Sequence, residues 1–229
     1  MEKHRGRSAL GRPRVIVIIP AYNEEATVQK VVAHTIQYAD VLVVDDCSSD
    51  NTAVLAKNAG ATVLRNSSNL GYERTLNIGF ETALKNGFEY LITMDADGEH
   101  NPELLTLFID MLVDKKTPLV LGVRKKKQRF SETLMGWYIF ARYGVHDILC
   151  GFKGYRSHLV RTNGGFDTSQ SIGTELTLNS IRRGSSFVEI AVNGNKRRDH
   201  PRFDHAWRAN MRILLVLKKQ VLRDIISCL

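Results

Sequence analysis

Apolar residues in this chain come in short runs that alternate with helical periods. Val15-Ile16-Val17-Ile18-Ile19 is a β-branched run ended by Pro20, the pattern of a strand covered on both faces. From Glu24 to Tyr38 the apolar positions Val28, Val31, Val32 and Ile36 fall on one side of a helix. Val41-Leu42-Val43-Val44 predicts a second strand, and Thr52 to Ala59 a helix that Gly60 stops. Thr62-Val63-Leu64 is a third short strand. Thr75 to Lys85 is a helix closed by Asn86-Gly87, and Tyr90 to Met94 a fourth strand. Pro102 to Val113 and Leu119 to Gly122 continue the alternation as helix and strand.

The later part is less regular. Residues 125–143 are basic and aromatic and predict a mobile loop with a helical portion. Leu176 to Arg183 predicts a helix, and Phe187 to Val192 alternates like a strand beside solvent. Near the end, Trp207, Met211, Leu214, Leu215, Leu222, Ile225 and Ile226 recur at helical spacing among Arg208, Arg212, Lys218, Lys219 and Arg223. That pattern suits an amphipathic helix on an anionic membrane. It equally suits a terminal helix packed on the core or on a second copy of the chain. The chain thus divides into a flexible basic lead-in over 1–14, an α/β domain over 15–205 and an amphipathic helix over 206–229.

Strands alternating with helices imply right-handed crossovers and a mostly parallel sheet. Ligands of such sheets bind beyond the carboxyl ends of the strands. Three polar segments fall there: Pro20 to Glu25, Asp45 to Asp50 and Asp95 to Glu99. Asp95-Ala96-Asp97 is the sharpest of them. Two carboxylates one residue apart at a strand's end offer hard oxygens to Mg²⁺ or Mn²⁺, a metal that leaves positions open for phosphate. Ser48 and Asp50 double as N-cap candidates for the helix from Thr52, and Glu24 as the start of the preceding helix.

Composition narrows the partners. The 229 residues carry 32 Lys and Arg against 24 Asp and Glu, a net charge of +8, with a pI near 9.5. Such an excess suits anionic partners, whether nucleic acid, a membrane face or phosphorylated small molecules. No aromatic-basic interleaving supports nucleic acid. Cys47, Cys150 and Cys228 lack metal spacing and read as reduced thiols of the cytoplasm. The histidines have no zinc-ligand spacing. No apolar run is long enough to span a bilayer, so membrane contact is expected to be peripheral, at the cytoplasmic face.

Pro20-Ala21-Tyr22-Asn23-Glu24-Glu25, Asp45-Asp46-Cys47-Ser48-Ser49-Asp50-Asn51-Thr52, Asn69-Leu70-Gly71 and Asp95-Ala96-Asp97-Gly98-Glu99-His100 occur in that order. Together they resemble the nucleotide-sugar half of glycosyltransferase family 2, with the Rossmann-like GT-A fold: a mixed, mostly parallel sheet flanked by helices. Gly122-Val123-Arg124, Asp147, Gly151-Phe152-Lys153-Gly154-Tyr155-Arg156, Gly173-Thr174-Glu175-Leu176 and Lys196-Arg197-Arg198 extend the likeness to the dolichyl-phosphate mannose synthase branch, the polyprenyl-phosphate glycosyltransferases.

The resemblance implies an inverting, metal-dependent transfer of a sugar from a UDP- or GDP-sugar to polyprenyl (dolichyl or undecaprenyl) phosphate. Residues 15–124 would bind the nucleotide sugar and 125–205 the acceptor. Asp95, Asp97 and Glu99 would hold Mg²⁺ or Mn²⁺. Pro20, Tyr22, Glu24, Asp45, Asp46 and Asp95 would line the nucleotide sugar. Arg124, Arg156, Arg197 and Arg198 would hold the acceptor phosphate, with Asp97, Asp147 and Arg124 nearest the chemistry. An alternative acceptor is a hydroxyl of a growing glycan, which would demand a carboxylate base, Asp147 or Glu175. A nucleotide-sugar-binding protein without turnover is a third reading. Homo-oligomerisation stays open.

Overall fold

The computed structural model describes residues 13–125, 129–192 and 206–226. A seven-stranded sheet in the order β3-β2-β1-β4-β6-β5-β7 forms the middle layer. β1 (Val15–Ala21), β2 (Asp40–Asp45), β3 (Thr62–Arg65), β4 (Tyr90–Thr93), β5 (Leu119–Arg124) and β7 (Phe187–Val192) share one direction. β6 (Lys153–Arg156) runs against its neighbours β4 and β5, so the sheet is mixed and mostly parallel, as expected.

Alternation along the strands sorts the core into two layers. Ile16, Ile18, Leu42, Val44, Leu91, Leu119 and Leu121 face α3 (Tyr72–Lys85), α5 (Phe130–Tyr143), α6 (Ser157–Asn163) and α7 (Glu175–Arg182). Val17, Ile19, Val41, Val43, Ile92 and Val120 face α1 (Val28–Thr35), α2 (Thr52–Asn58) and α4 (Leu105–Ile109). α4 is entered by a 3₁₀ turn, Pro102–Leu104, and widens into a π turn over Asp110–Asp114.

Several boundaries differ from the sequence expectation, each for a physical reason. β1 runs through Pro20 to Ala21. The β4 side of β1 is last used at Ile18, whose carbonyl accepts the Met94 N–H at 3.2 Å, so the missing N–H of Pro20 costs no ladder bond there. α1 begins at Val28 rather than Glu24, because residues 23–25 are stitched to the β2–α2 loop. Asn23 N–H donates to Ser48 Oγ (2.8 Å), Glu24 N–H to Thr52 Oγ1 (2.7 Å) and Glu25 N–H to Asp50 (3.2 Å). α3 starts at Tyr72, as soon as Gly71 (φ 84°) turns the chain. The expected loop over 125–143 is mostly helix α5, and α6 was not foreseen.

α8 (Ala206–Ile226) packs on α5 through Ala209, Ile213, Val216, Gln220 and Asp224, all buried. Asp224 accepts from Tyr138 Oη (2.7 Å), from Tyr143 Oη and from Arg182 Nη2 (2.7 Å). The terminal helix therefore lies on the core, while Trp207, Met211, Leu215, Leu222, Ile225 and Ile226 face outward.

Candidate active site

The site forms where the parallel strands end. Beyond β2, Asp45 is fully buried, accepting from the Ser48 hydroxyl and facing Arg65 Nε at 3.3 Å. Asp46 accepts the backbone N–H of Leu70 and of Gly71, each at 2.8 Å, and the Asn66 side-chain amide at 2.8 Å. These carboxylates, expected at the nucleotide, already have partners within the protein. Both are buried and occupied, and they fasten the Asn69-Leu70-Gly71 turn and the Ser48 loop that frame the site. Glu24 is also buried (8% exposed), with Thr27 Oγ1 3.2 Å from its carboxylate. Tyr22 is 40% exposed beside half-buried Pro20 at this edge.

Past β4 the chain turns through Asp95, Ala96 and Asp97. Asp95 packs against Gly151, where a Cβ would sit 2.7 Å from Oδ1 and closer still to Oδ2, so a larger residue there would displace the carboxylate. On its other side, the Asp95 backbone nitrogen lies 3.3 Å from His100 Nδ1, and His100 Nε2 lies 3.8 Å from Oδ2. His100 is itself buried, with its ring 5.3 Å from that of Phe152. Burial opposes its charge, but hydrogen bonding to Cys150 and the negative charge of Asp95 lift its pKa to about 9. Asp97 accepts the Glu99 N–H at 3.0 Å, and both residues are partly exposed.

Among the described residues no group of three or more His, Cys, Asp or Glu side chains is preassembled around a metal position. Asp95 and Asp97 still fit a divalent cation. The pKa of Asp95 is raised by burial and then by the charge of Asp97, with His100, Arg124 and Lys153 pulling it down. A cation between the two carboxylates would relieve that repulsion, and the phosphates of a substrate would complete its oxygen shell.

At the tip of β5, Arg124 forks onto Asp147 through Nε (2.7 Å) and Nη2 (3.0 Å), while its backbone N–H adds a third bond at 3.1 Å. Glu132 stands 3.4 Å from Nη2 and also pairs with Arg129 at 2.8 Å. Burial would raise the Asp147 pKa, but the guanidinium overrides it and holds the carboxyl below its ordinary range. Glu175 is likewise lowered, against the burial that would raise it, by the side chains and N–H groups of Ser169 and Thr168.

The structure does not bring Arg156 to this edge. β6 is antiparallel, so its first residue, Lys153, lies opposite Thr93, and Arg156 lies opposite Tyr90 at the far end, 5.9 Å above that ring. Its expected role at the acceptor phosphate is corrected on that ground. Arg197 and Arg198 lie outside the described residues. Sequence reasoning quoted Lys153, Gly151 and His100 inside motifs but gave them no role. Their significance depends on the direction of β6, which no local pattern reveals.

The strand order and the carboxylates at the parallel edge are those of a GT-A glycosyltransferase. The chain belongs to glycosyltransferase family 2, whose family model, "Glycosyl transferase family 2", matches residues 16–162. It is 29% identical to polyprenol monophosphomannose synthase of Mycolicibacterium smegmatis over 80% of this chain and 78% of that one. It is also 29% identical to undecaprenyl-phosphate mannosyltransferase of Micrococcus luteus, over 78% of this chain and 82% of the relative. Among solved structures, glucosyl-3-phosphoglycerate synthase of Mycobacterium tuberculosis, in complex with phosphoglyceric acid, superposes with a TM-score of 0.73. The identity is 18%, and the match covers 90% of this chain and 79% of that one. The same enzyme has been solved with Mn²⁺, UDP and glucosyl-3-phosphoglycerate.

Proposed function

We propose that this glycosyltransferase moves a sugar from a UDP- or GDP-sugar to polyprenyl phosphate, with inversion at the anomeric carbon and with Mg²⁺ or Mn²⁺ bound at Asp95, Asp97 and Glu99. The relatives' names support the acceptor, and the solved neighbour with Mn²⁺ and UDP supports the metal and a nucleoside diphosphate. One observation in this chain carries the choice of acceptor: the candidate bases are spent. A glycan hydroxyl needs a carboxylate to take its proton. Asp147 is forked by Arg124, and Glu175 is bonded to Thr168 and Ser169, each with a lowered pKa. A phosphate monoester is already anionic at neutral pH and needs no base.

In this reading the Tyr22 ring packs on the nucleobase, and Asp95 is held by Gly151 and His100 so that it faces the donor diphosphate. The bound cation would neutralise charge on the departing nucleotide. Arg124, kept in register by Asp147, directs its remaining N–H groups to the acceptor phosphate, which approaches from the face opposite the nucleotide.

The acceptor's lipid tail places the site beside a membrane, at its cytoplasmic face in this reading. Most large apolar side chains exposed among the described residues lie on the packed pair α5 and α8, including Phe130 (80% exposed), Trp137 (78%) and Trp207 (71%). Arg208, Lys219 and Arg223 follow one flank of the α8 stripe, with Arg212 between them paired to Glu73, an arrangement suited to anionic lipid. No described helix is long and apolar enough to cross a membrane.

The test is turnover with purified protein, a panel of UDP- and GDP-sugars, Mg²⁺ or Mn²⁺ and a polyprenyl phosphate, read by mass spectrometry. A metal-dependent sugar-phosphate lipid supports the reading. Nucleotide release only with a glycan acceptor overturns it.

A further inference from the structure

We propose that the ammonium of Lys153 is a ligand of the acceptor phosphate and supplies the positive charge that the Arg124 fork does not. This deepens the polyprenyl-phosphate reading and rests on it.

Three observations converge. The first is place. Lys153 opens β6 at the carboxyl edge, in register with Thr93, two residues before Asp95, and with Leu121, three residues before Arg124. Alternation puts Gly154 against Leu112 and Phe108 on the α4 face. Lys153 therefore shares the opposite face with Tyr155, whose hydroxyl meets Thr177 of α7 at 3.0 Å. This is the side on which residues 166–175 close over the sheet.

The second is charge. Arg124 and Arg129 face Asp147 and Glu132 in a balanced set of two cations and two anions. Asp95, Asp97 and Glu99 together offset a divalent cation and the charge of His100 beside Asp95. An incoming phosphate meets no surplus positive charge in either group.

The third is satisfaction. Lys153 is 3% exposed, and among the described residues its ammonium has one hydrogen-bond acceptor, the Gly173 carbonyl at 3.0 Å. A buried ammonium carries three N–H donors, and a single carbonyl is poor compensation for its lost hydration. Cys150, Asp147 and Asp167 favour its charge electrostatically and Arg124 opposes it. Gly173 opens the Gly173-Thr174-Glu175 segment at the start of α7. Ile172 just before it has φ 57°, an unfavourable conformation for a β-branched residue. The ammonium thus rests on a strained loop at the acceptor side, where an arriving phosphate oxygen would replace or join the carbonyl.

The experiment compares wild type with Lys153→Met and Lys153→Arg, varying polyprenyl phosphate and nucleotide sugar separately and recording thermal stability. Lys153→Met is expected to raise the KM for polyprenyl phosphate by at least about tenfold, the effect of one lost charge-assisted contact. The donor KM should stay within about twofold on the same scale. Its melting temperature should match or exceed that of wild type, because a poorly compensated buried charge has been removed, and Lys153→Arg should restore part of the acceptor affinity. An unchanged acceptor KM overturns the proposal. So does a lowered melting temperature with both KM values rising together, the signature of a purely structural lysine. Wild type that ignores polyprenyl phosphate altogether would instead remove the acceptor reading, and this proposal with it.

Discussion

At the scale of single residues, the site depends on how tightly Asp95 is held. Gly151→Ala puts a methyl group into space the Asp95 carboxylate occupies. It should cost about 10- to 100-fold in Mn²⁺ affinity and turnover, the usual effect of disturbing a group that orients a metal ligand. Mn²⁺ titration by electron paramagnetic resonance checks this without turnover, and unchanged affinity would contradict the clamp. Lys153 adds a pH signature. Burial lowers its pKa to about 8 from 10.5, so between those values the unfolded chain binds a proton that the folded chain does not. Wild type should therefore gain stability relative to Lys153→Met as pH rises through that window. Denaturant melts at pH 7 and pH 10 measure the difference. Much of this scale was legible, because Asp95, Asp97 and Arg124 end apolar runs whose direction the alternation fixes. The surroundings of Asp46 and the position of Arg156 were hidden for different reasons. The burial of Asp46 follows from its bonds to Leu70 and Gly71, and the position of Arg156 from the reversal of β6. Both are contacts between segments distant in sequence.

At the scale of elements, α8 matters most. Its apolar residues at helical spacing suggested either membrane or core, and the helix serves the core with one face while leaving the other apolar face outward. The inner face is recognisable afterwards by Asp224, which collects Tyr138, Tyr143 and Arg182. Asp224→Ala strands those donors and should cost about 3 kcal/mol by denaturant melt. Burial would raise its pKa, but the tyrosine hydrogen bonds and Arg182 hold it below its ordinary value. Its contribution is thus complete above the ordinary carboxyl range and is lost as pH falls through the lowered native value. Asp224→Asn should show a flatter acid limb than wild type. The β-branched strands β1, β2 and β4 were readable because they are buried on both faces. α6 and the full length of α5 were not, since α6 packs on α7 and β6 and α5 packs on α8, contacts between separate elements that no local pattern shows. The true start of α1 was hidden by the hydrogen bonds between Asn23–Glu25 and Ser48–Thr52.

At the scale of the whole molecule, the net charge of +8 and the outward apolar surfaces of α5 and α8 combine into a single expectation. Trp137→Ser with Trp207→Ser should weaken sedimentation with anionic vesicles by about tenfold or more, from the lost burial of two indoles. Raised salt should weaken it further by screening the basic flank. Binding to neutral and anionic vesicles alike, unaffected by these changes, would contradict the assignment of this surface. The central claim is more direct: a metal held by the Asp95–Asp97 turn supports sugar transfer to a lipid phosphate. It is tested by mass spectrometry of polyprenyl phosphate incubated with the nucleotide-sugar panel and Mn²⁺, comparing wild type with Asp97→Asn. The account predicts a new sugar-phosphate lipid from wild type, absent with a chelator and reduced on the order of 10³-fold in the variant. Equal product from both proteins, or product that persists in chelator, would contradict it.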